Sequence, residues 1–139
     1  MKIDSFRDAD AWLSNFFKCP VIVDGITYPS AENAYQAHKF SETEERIKIS
    51  LMSPKESKNY PKNKAIRPDW DDVRLNVMYN IVYAKFSQNP ALKNMLVNTS
   101  GIELIEGNTW GDTFWGVYKG KGENHLGKIL MRVRDELSD

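Results

Sequence analysis

The chain has 139 residues, and its 19 Lys and Arg balance its 19 Asp and Glu, so the formal net charge at pH 7 is zero. No overall field therefore draws the molecule onto nucleic acid or an anionic membrane. A single cysteine, Cys19, excludes an internal disulfide and indicates a cytoplasmic protein, and no apolar run approaches the roughly 20 residues that span a bilayer.

The length predicts one domain over residues 1–139. Its first predicted elements are a β-hairpin and a helix. β-branched runs flank Asp24-Gly25, a pair that favours a type I′ turn between two antiparallel strands. Pro29 is expected to end the second strand, and Ser30 can then cap a helix that runs to about Phe40.

The stretch from residue 51 to residue 67 is predicted to be a long, irregular and basic connection. Connections of this length are usually functional or mobile. Its cationic residues and the prolines in and after it are Lys55, Lys58, Lys62, Lys64, Arg67, Pro54, Pro61 and Pro68.

Helical periodicity dominates the rest of the chain. A core helix is predicted from about Trp70 to Ser87, a short helix after Asn89-Pro90, a strand over 102–106, and a last helix from residue 124 or 125 to Leu137. The residues predicted to face inward on the first two helices are Val73, Val77, Ile81, Ala84, Leu92, Met95 and Leu96. These elements predict an α+β fold, mostly helical around a small β-sheet.

The most unusual segment is residues 107–116, GNTWGDTFWG. Its aromatic side chains, Trp110 and Trp115 among them, are expected to form apolar walls around Asp112, while the glycines permit close backbone approach. A partly desolvated carboxylate can acquire unusual proton affinity, so the segment predicts chemistry at Asp112.

The helix after Ser30 carries a polar stripe. Glu32, Gln36 and Lys39 recur at i, i+4 and i+7, with Tyr35 beside them. The stripe is either an ordinary solvated face or part of a ligand site.

Two lysines, Lys119 and Lys121, precede the last helix, whose start at Asn124 favours an anion. The segment is either an anion site or a plain surface turn. The two histidines, His38 and His125, have no neighbouring His or Cys at metal-ligand spacing. Neither a metal site nor a cofactor is therefore expected.

Taken together, these segments resemble the NADAR family (NAD and ADP-ribose associated), the YbiA-like proteins. The resemblance rests on separated motifs in a fixed order: LSNFF at 13–17, GITYPSAENAYQAHKF at 25–40, RPDWDDVR at 67–74, WGDTFWG at 110–116 and NHLG at 124–127. The chain departs from the family at Asn33, where histidine is usual, at Thr99-Ser100-Gly101, where Thr-Gly-Asp is common, and at Tyr60-Pro61, where Leu-Gly is common.

The resemblance implies an α+β domain with N-glycosidase activity that cleaves the bond from ribose C1′ to nitrogen. One implied substrate class is the phosphorylated ribosylamino-pyrimidine intermediates of riboflavin synthesis. An alternative is ADP-ribose attached to guanine in nucleic acid, for which the basic stretch would contact phosphates. A further alternative is a non-catalytic module that binds ADP-ribose or another NAD derivative, and the plainest is a purely structural domain.

Cleavage of such a bond passes through an oxocarbenium-like ribose, which a nearby carboxylate and a proton donor both assist. Glu32 and Asp112 are the predicted catalytic pair, without a choice between the two roles, and the assignment requires both to face one sugar-sized cavity. The predicted substrate-binding residues are Asn15, Tyr35, Gln36, Lys39, Arg74, Trp110, Trp115 and Asn124.

Overall fold

The computed structural model describes residues 1–138, which form two compact units. The first unit comprises Met1–Ser14 and the residues from Asn89 onward, and the second is Asn15–Gln88. The predicted domain end at residue 139 lies outside the described residues, and a single domain over the whole chain stays a prediction. No helix within residues 1–138 is long and apolar enough to cross a membrane.

Short strands precede and follow a run of consecutive helices, and a further helix comes last. In order they are β1 (Lys2–Ile3), a 3-10 helix (Asp8–Leu13), β2 (Lys18–Val23), β3 (Ile26–Ser30), α1 (Ala31–Ala37), α2 (Thr43–Ser50), α3 (Pro54–Asn59), α4 (Trp70–Gln88), α5 (Pro90–Val97), β4 (Glu103–Leu104), β5 (Gly107–Asn108), β6 (Val117–Tyr118) and α6 (His125–Leu137). The mixed α and β composition confirms the predicted fold class.

The second unit contains the β-hairpin that was predicted from Asp24-Gly25. Strands β2 and β3 pair antiparallel, and Asp24 and Gly25 both have positive φ, 50° and 79°, as a type I′ turn requires. Strand β3 continues through Pro29 to Ser30, so the prediction that Pro29 ends it is wrong. The ladder changes register between Lys18 and Val21, and such an irregularity tolerates a proline.

Helix α1 begins where the sequence predicts. The Ser30 side chain accepts a hydrogen bond from the Asn33 N–H at 3.2 Å, which caps the helix. The helix ends at Ala37 rather than near Phe40, and every residue in it is buried. Its polar stripe is therefore not the ordinary solvated face that the pattern also permitted.

The prediction of an irregular connection from 51 to 67 is wrong in part, because the connection contains α3. Ser53 and Glu56 form a reciprocal capping box, and Pro54 occupies the first turn, where a missing N–H does no harm. The preceding helix, α2, was not predicted either, since its sequence shows no strong apolar stripe.

Helix α4 confirms the predicted core helix, although its buried face is rotated from the predicted one. Val73, Val77 and Ala84 are only half-buried. The buried positions are Trp70, Met78, Ile81, Val82, Lys85 and Phe86. The reason is that α4 packs against both α1 and β2, so it buries more than one narrow stripe.

The first unit pairs distant parts of the chain. Strand β1 runs parallel to β4, and β5 runs parallel to β6. The predicted small sheet is therefore, within residues 1–138, a set of separate two-stranded ladders, and the strand predicted over 102–106 shortens to Glu103–Leu104.

Helices α5 and α6 complete the first unit and pack on each other. Leu92 and Leu96 are buried as predicted, but Met95 is 40% exposed, so its predicted inward orientation is wrong. Helix α6 confirms the last predicted helix, with a buried stripe of Leu126, Ile129, Leu130 and Val133.

Candidate active site

Glu32 lies in the first turn of α1 and is 7% exposed. Its backbone N–H donates to the Asn15 carbonyl at 2.9 Å, and its carboxylate Oε2 accepts a hydrogen bond from Gln36 Nε2 at 2.6 Å. The i, i+4 spacing read from the sequence therefore produces a direct contact between a buried carboxylate and a buried amide.

The Gln36 amide is only partly satisfied. The side chain is 4% exposed, and among residues 1–138 its Oε1 has no hydrogen-bond partner. A buried acceptor left unsatisfied destabilises a protein by about 1–3 kcal/mol. Such an atom is a natural contact point for a ligand that brings its own donor.

Lys39, at the end of the same face, lies against two aromatic rings. Its Nζ is 5.5 Å from the Tyr35 ring centroid and 6.0 Å from that of Trp70, and the two rings are 5.2 Å apart. Burial lowers the pKa of Lys39 from its usual value, the Glu32 carboxylate counteracts this shift, and the positive charge of Arg74 adds to it. Glu32, Lys39 and Arg74 therefore belong to one electrostatic cluster.

Asn15 supports the same helix. It is 8% exposed, its Nδ2 donates to the Met78 sulfur at 3.4 Å, and its carbonyl accepts from Glu32. Six predicted site residues thus belong to the second unit: Asn15, Glu32, Tyr35, Gln36, Lys39 and Arg74.

Asp112 organises a tight turn in the first unit. Its Oδ1 accepts hydrogen bonds from the backbone N–H groups of Phe114 at 3.1 Å and Trp115 at 2.9 Å. Asn108 holds the Asp112 backbone from the other side, because its Oδ1 accepts from the Asp112 N–H at 3.0 Å and its Nδ2 donates to the Asp112 carbonyl at 2.8 Å. Sequence reasoning assigned no role to Asn108, although Asn and Asp often bond to backbone groups in turns.

The two tryptophans of this segment have different environments. Trp115 is half-buried, perpendicular to the Phe114 ring at 4.8 Å and 6.5 Å from the His125 ring. Trp110 is 59% exposed, so it is less enclosed than Trp115, and its predicted place in an apolar wall around Asp112 stays a prediction.

Asn124 precedes α6 in a left-handed conformation, with φ of 53°. Its Oδ1 accepts from the Glu106 N–H at 2.9 Å and its Nδ2 donates to the Leu104 carbonyl at 3.0 Å, while the side chain makes no capping bond to α6. A Cβ on Gly127 would collide with the Leu104 carbonyl and the Asn124 amide. The structure thus gives Asn124 a bracing role, and its contact with substrate stays a prediction.

Lys119 lines a cavity of about 390 Å³ in the first unit, together with Lys2, Arg7 and Asn108. Asp4 lines it as well, whereas Lys121 and Asn124 are not among its lining residues, so the anion site predicted before α6 stays a prediction. Within residues 1–138, no three His, Cys, Asp or Glu side chains are grouped so that they could hold a metal ion.

Trp110, Asp112, Trp115 and Asn124 belong to the first unit. The pairing of Glu32 with Asp112 across one cavity stays a prediction. Sequence reasoning missed the role of Trp70 beside Tyr35 and Lys39, although Trp70 lies within one of the family motifs.

Comparison with known proteins gives concordant matches. N-glycosidase YbiA of Shigella boydii serotype 4 is 37% identical over 129 residues, which cover 90% of this chain and 80% of that protein. A riboflavin biosynthesis protein of Vibrio vulnificus is 39% identical over 134 residues, which cover 92% of this chain but only 36% of the Vibrio protein.

The NMR structure of the Escherichia coli protein YbiA matches this fold with a TM-score of 0.85 and 34% identity, over 99% of this chain and 83% of that one. The model of the NADAR domain matches residues 4–138. The chain therefore belongs to the NADAR domain family.

Proposed function

We propose that the protein is an N-glycosidase, a hydrolase that cleaves the ribose C1′–N bond of phosphorylated ribosides such as the ribosylamino-pyrimidine phosphates of riboflavin synthesis. The names of its relatives, N-glycosidase YbiA and riboflavin biosynthesis protein, support this reaction and this substrate class. The observation that carries the proposal is the buried Glu32 carboxylate, bonded to Gln36 and electrostatically coupled to Lys39.

Glu32 would act on the developing positive charge of the ribose. As the C1′–N bond breaks, charge builds on C1′ and the ring oxygen, and a carboxylate held in a poorly hydrated place stabilises that charge strongly. The hydrogen bond from Gln36 fixes the orientation of the carboxylate before substrate arrives. Glu32 can also orient the water that completes hydrolysis.

Asp112 is the proposed second carboxylate. Its Oδ1 is committed to two backbone N–H groups, so Oδ2 is the atom with which it would contact substrate. Through Oδ2 it would either give a proton to the departing nitrogen or hold the ribose hydroxyls. A turn that fixes the carboxylate in advance suits both roles.

The remaining predicted residues would bind the two ends of the substrate. Lys39 and Arg74 would hold the 5′-phosphate, with Lys119 as a further candidate. Trp110, whose ring is exposed, is better suited to stack on a base than Tyr35, which is buried against Trp70. Stacking of this kind is worth about 1–3 kcal/mol per base in nucleic-acid complexes.

A second candidate is removal of ADP-ribose from guanine in nucleic acid. It is supported by exposed cations on and after α3, with Lys58 5.6 Å from the partly exposed Phe16 ring. This candidate predicts more activity on a modified oligonucleotide than on a free nucleotide, and activity that falls with salt. The third candidate is a non-catalytic binding module, which predicts tight binding of ADP-ribose without cleavage.

The lone cysteine, Cys19, supports a cytoplasmic location.

Incubation with a panel of ribosides, followed by mass spectrometry, tests the proposal. Release of a free aminopyrimidine and ribose 5-phosphate is the expected result. Release of ADP-ribose from a modified oligonucleotide alone would favour the second candidate. Intact substrates after long incubation with folded protein would contradict both glycosidase proposals.

A further inference from the structure

The orientation of the Gln36 amide follows from its neighbour. An ionised carboxylate can only accept hydrogen bonds, so the amide nitrogen, not the oxygen, must face Glu32. The 2.6 Å contact between Gln36 Nε2 and Glu32 Oε2 has this arrangement. Oε1 therefore points away from the carboxylate, where it can only accept a hydrogen bond from another group.

A second buried amide on α1 provides a contrast. Asn33 is fully buried, and its Nδ2 donates to the carbonyls of Ile49 and Met52, both at 2.9 Å. Its Oδ1 accepts from the Ser30 hydroxyl at 2.6 Å. Where an amide on this helix has a structural task, protein groups satisfy both of its ends. Gln36 is as deeply placed, yet within residues 1–138 its oxygen has no donor.

We infer that Gln36 Oε1 accepts a hydrogen bond from the ribose hydroxyl next to the reacting carbon, the 2′-hydroxyl. The inference rests on the proposed function, in which Glu32 acts at C1′. Because Gln36 Nε2 is only 2.6 Å from Glu32 Oε2, a sugar whose C1′ faces Glu32 would bring the neighbouring carbon toward Gln36 Oε1. The 2′-hydroxyl is the sugar donor attached to the carbon next to C1′.

This contact links the hydroxyl to the carboxylate through the amide. The hydroxyl donates to Oε1, and Nε2 donates to Glu32, so each bond polarises the next. The amide would therefore both recognise ribose and hold Glu32 in place. Without the 2′-hydroxyl, the bound complex keeps a buried acceptor with no donor, and a deoxyribose ligand should bind about tenfold to a hundredfold more weakly.

The test measures binding of ribose 5-phosphate and 2-deoxyribose 5-phosphate by calorimetry. Wild-type protein is expected to prefer the ribose compound at least about tenfold. Gln36→Met keeps the length of the side chain but removes the acceptor, so it should bind both compounds alike. Gln36→Glu keeps an acceptor, and because two buried carboxyl groups in contact cannot both ionise, it should share one proton with Glu32. It should therefore retain the preference for ribose, while turnover falls because Glu32 loses part of its negative charge.

Ser57→Ala is the matched structural control. It removes a buried hydroxyl that donates to the Pro54 carbonyl at 2.7 Å, in the same unit but outside the proposed site. This variant should melt at a lower temperature and keep the full preference for ribose. If Gln36 Oε1 merely held a buried water, Gln36→Met would behave like the control, and that result would overturn the inference.

Two further results separate this inference from the proposed function. Wild-type protein that binds the two sugar phosphates equally, or binds neither, overturns the hydroxyl contact even if it cleaves ribosides. Protein that prefers ribose but cleaves no riboside retains the contact and loses the glycosidase. If Gln36→Met fails to fold, the wild-type preference and its survival in Gln36→Glu still decide the question.

Discussion

Two polar clusters, a buried one on α1 and a half-buried one in the turn around Asp112, satisfy the hydrogen bonds of their side chains in opposite ways. On α1, Glu32 and Gln36 bond to each other, and among residues 1–138 the Gln36 Oε1 has no hydrogen-bond partner. In the turn, Asn108 and Asp112 direct their side chains to backbone groups. Groups committed to backbone maintain the shape of the chain, whereas paired side chains with a spare atom remain available to a ligand. Substitutions of Glu32 or Gln36 should therefore affect turnover first, and substitutions in the turn that remove a hydrogen-bond partner of the backbone should affect stability first.

The largest effect is expected from Glu32→Gln. The new amide can still accept from Gln36, but the negative charge is lost, so kcat should fall about 10²–10⁴-fold while the melting temperature changes little. Steady-state kinetics and thermal unfolding measure the two quantities. Glu56→Gln is the control, because it removes a carboxylate from the first turn of α3 and should leave kcat unchanged. Full activity of Glu32→Gln would show that the polar cluster on α1 does not act in turnover.

Two substitutions at Asp112 distinguish the role of its negative charge from its role as a hydrogen-bond acceptor in the turn. Asp112→Asn keeps an oxygen that accepts from Phe114 and Trp115, so stability should persist, while kcat falls about tenfold to a thousandfold if the charge acts on substrate. Asp112→Ala removes the acceptor and should also lower the free energy of unfolding by about 1–2 kcal/mol. Normal turnover by Asp112→Asn would restrict Asp112 to a structural role.

Asn108→Ala tests how much the Asn108 side chain stabilises the turn around Asp112. It leaves the N–H and carbonyl of Asp112 without their present partner and should lower the free energy of unfolding by about 1–3 kcal/mol, as read from urea denaturation. The exposed Asn94→Ala on α5 should change it by less than about 0.5 kcal/mol. Equal stability of the two variants would show that the turn does not depend on Asn108.

The smallest effect at neutral pH is expected from Tyr28→Phe. The Tyr28 hydroxyl is buried and, within residues 1–138, has no hydrogen-bond partner, so its removal should stabilise the protein by up to about 1 kcal/mol. Burial raises the pKa of Tyr28 to about 12 from a usual 10.0, an effect that Arg46 opposes and Asp24 reinforces.

The sign of the pH dependence follows from that shift. Above pH 10.0 the unfolded chain loses the Tyr28 proton before the folded protein does, so wild-type stability should decrease from pH 10.0 to about 12. The Phe variant should lack this part of the decrease, and Tyr83→Phe, which removes a more exposed hydroxyl, should retain it. Parallel stability curves for wild type and Tyr28→Phe would contradict the assignment.

Local signals predicted much of the fold. The Asp24-Gly25 turn, the Ser30 cap and helices α4 and α6 follow from residues close in sequence, and the structure confirms them. The prolines and lysines around α3 obscured a capping box that was present in the sequence at Ser53 and Glu56. That helix was predictable from the residues and was overlooked.

The properties of the site were less predictable, because they depend on tertiary burial. The spacing of Glu32 and Gln36 predicted a shared face, but whether that face is solvated depends on the elements that α1 packs against: α2, α3, α4 and the hairpin. The unmet Gln36 acceptor likewise depends on which donors happen to surround it. No pattern in a single sequence carries that information.

The pairing of β1 with β4 affects the order in which the chain can fold during synthesis. Lys2 lies opposite Glu103, so the first strand emerges from the ribosome long before its partner exists. The residues of the second unit, Asn15–Gln88, are complete before β4 is made and can collapse early. The N-terminal strand therefore remains an unpaired edge until β4 has been made.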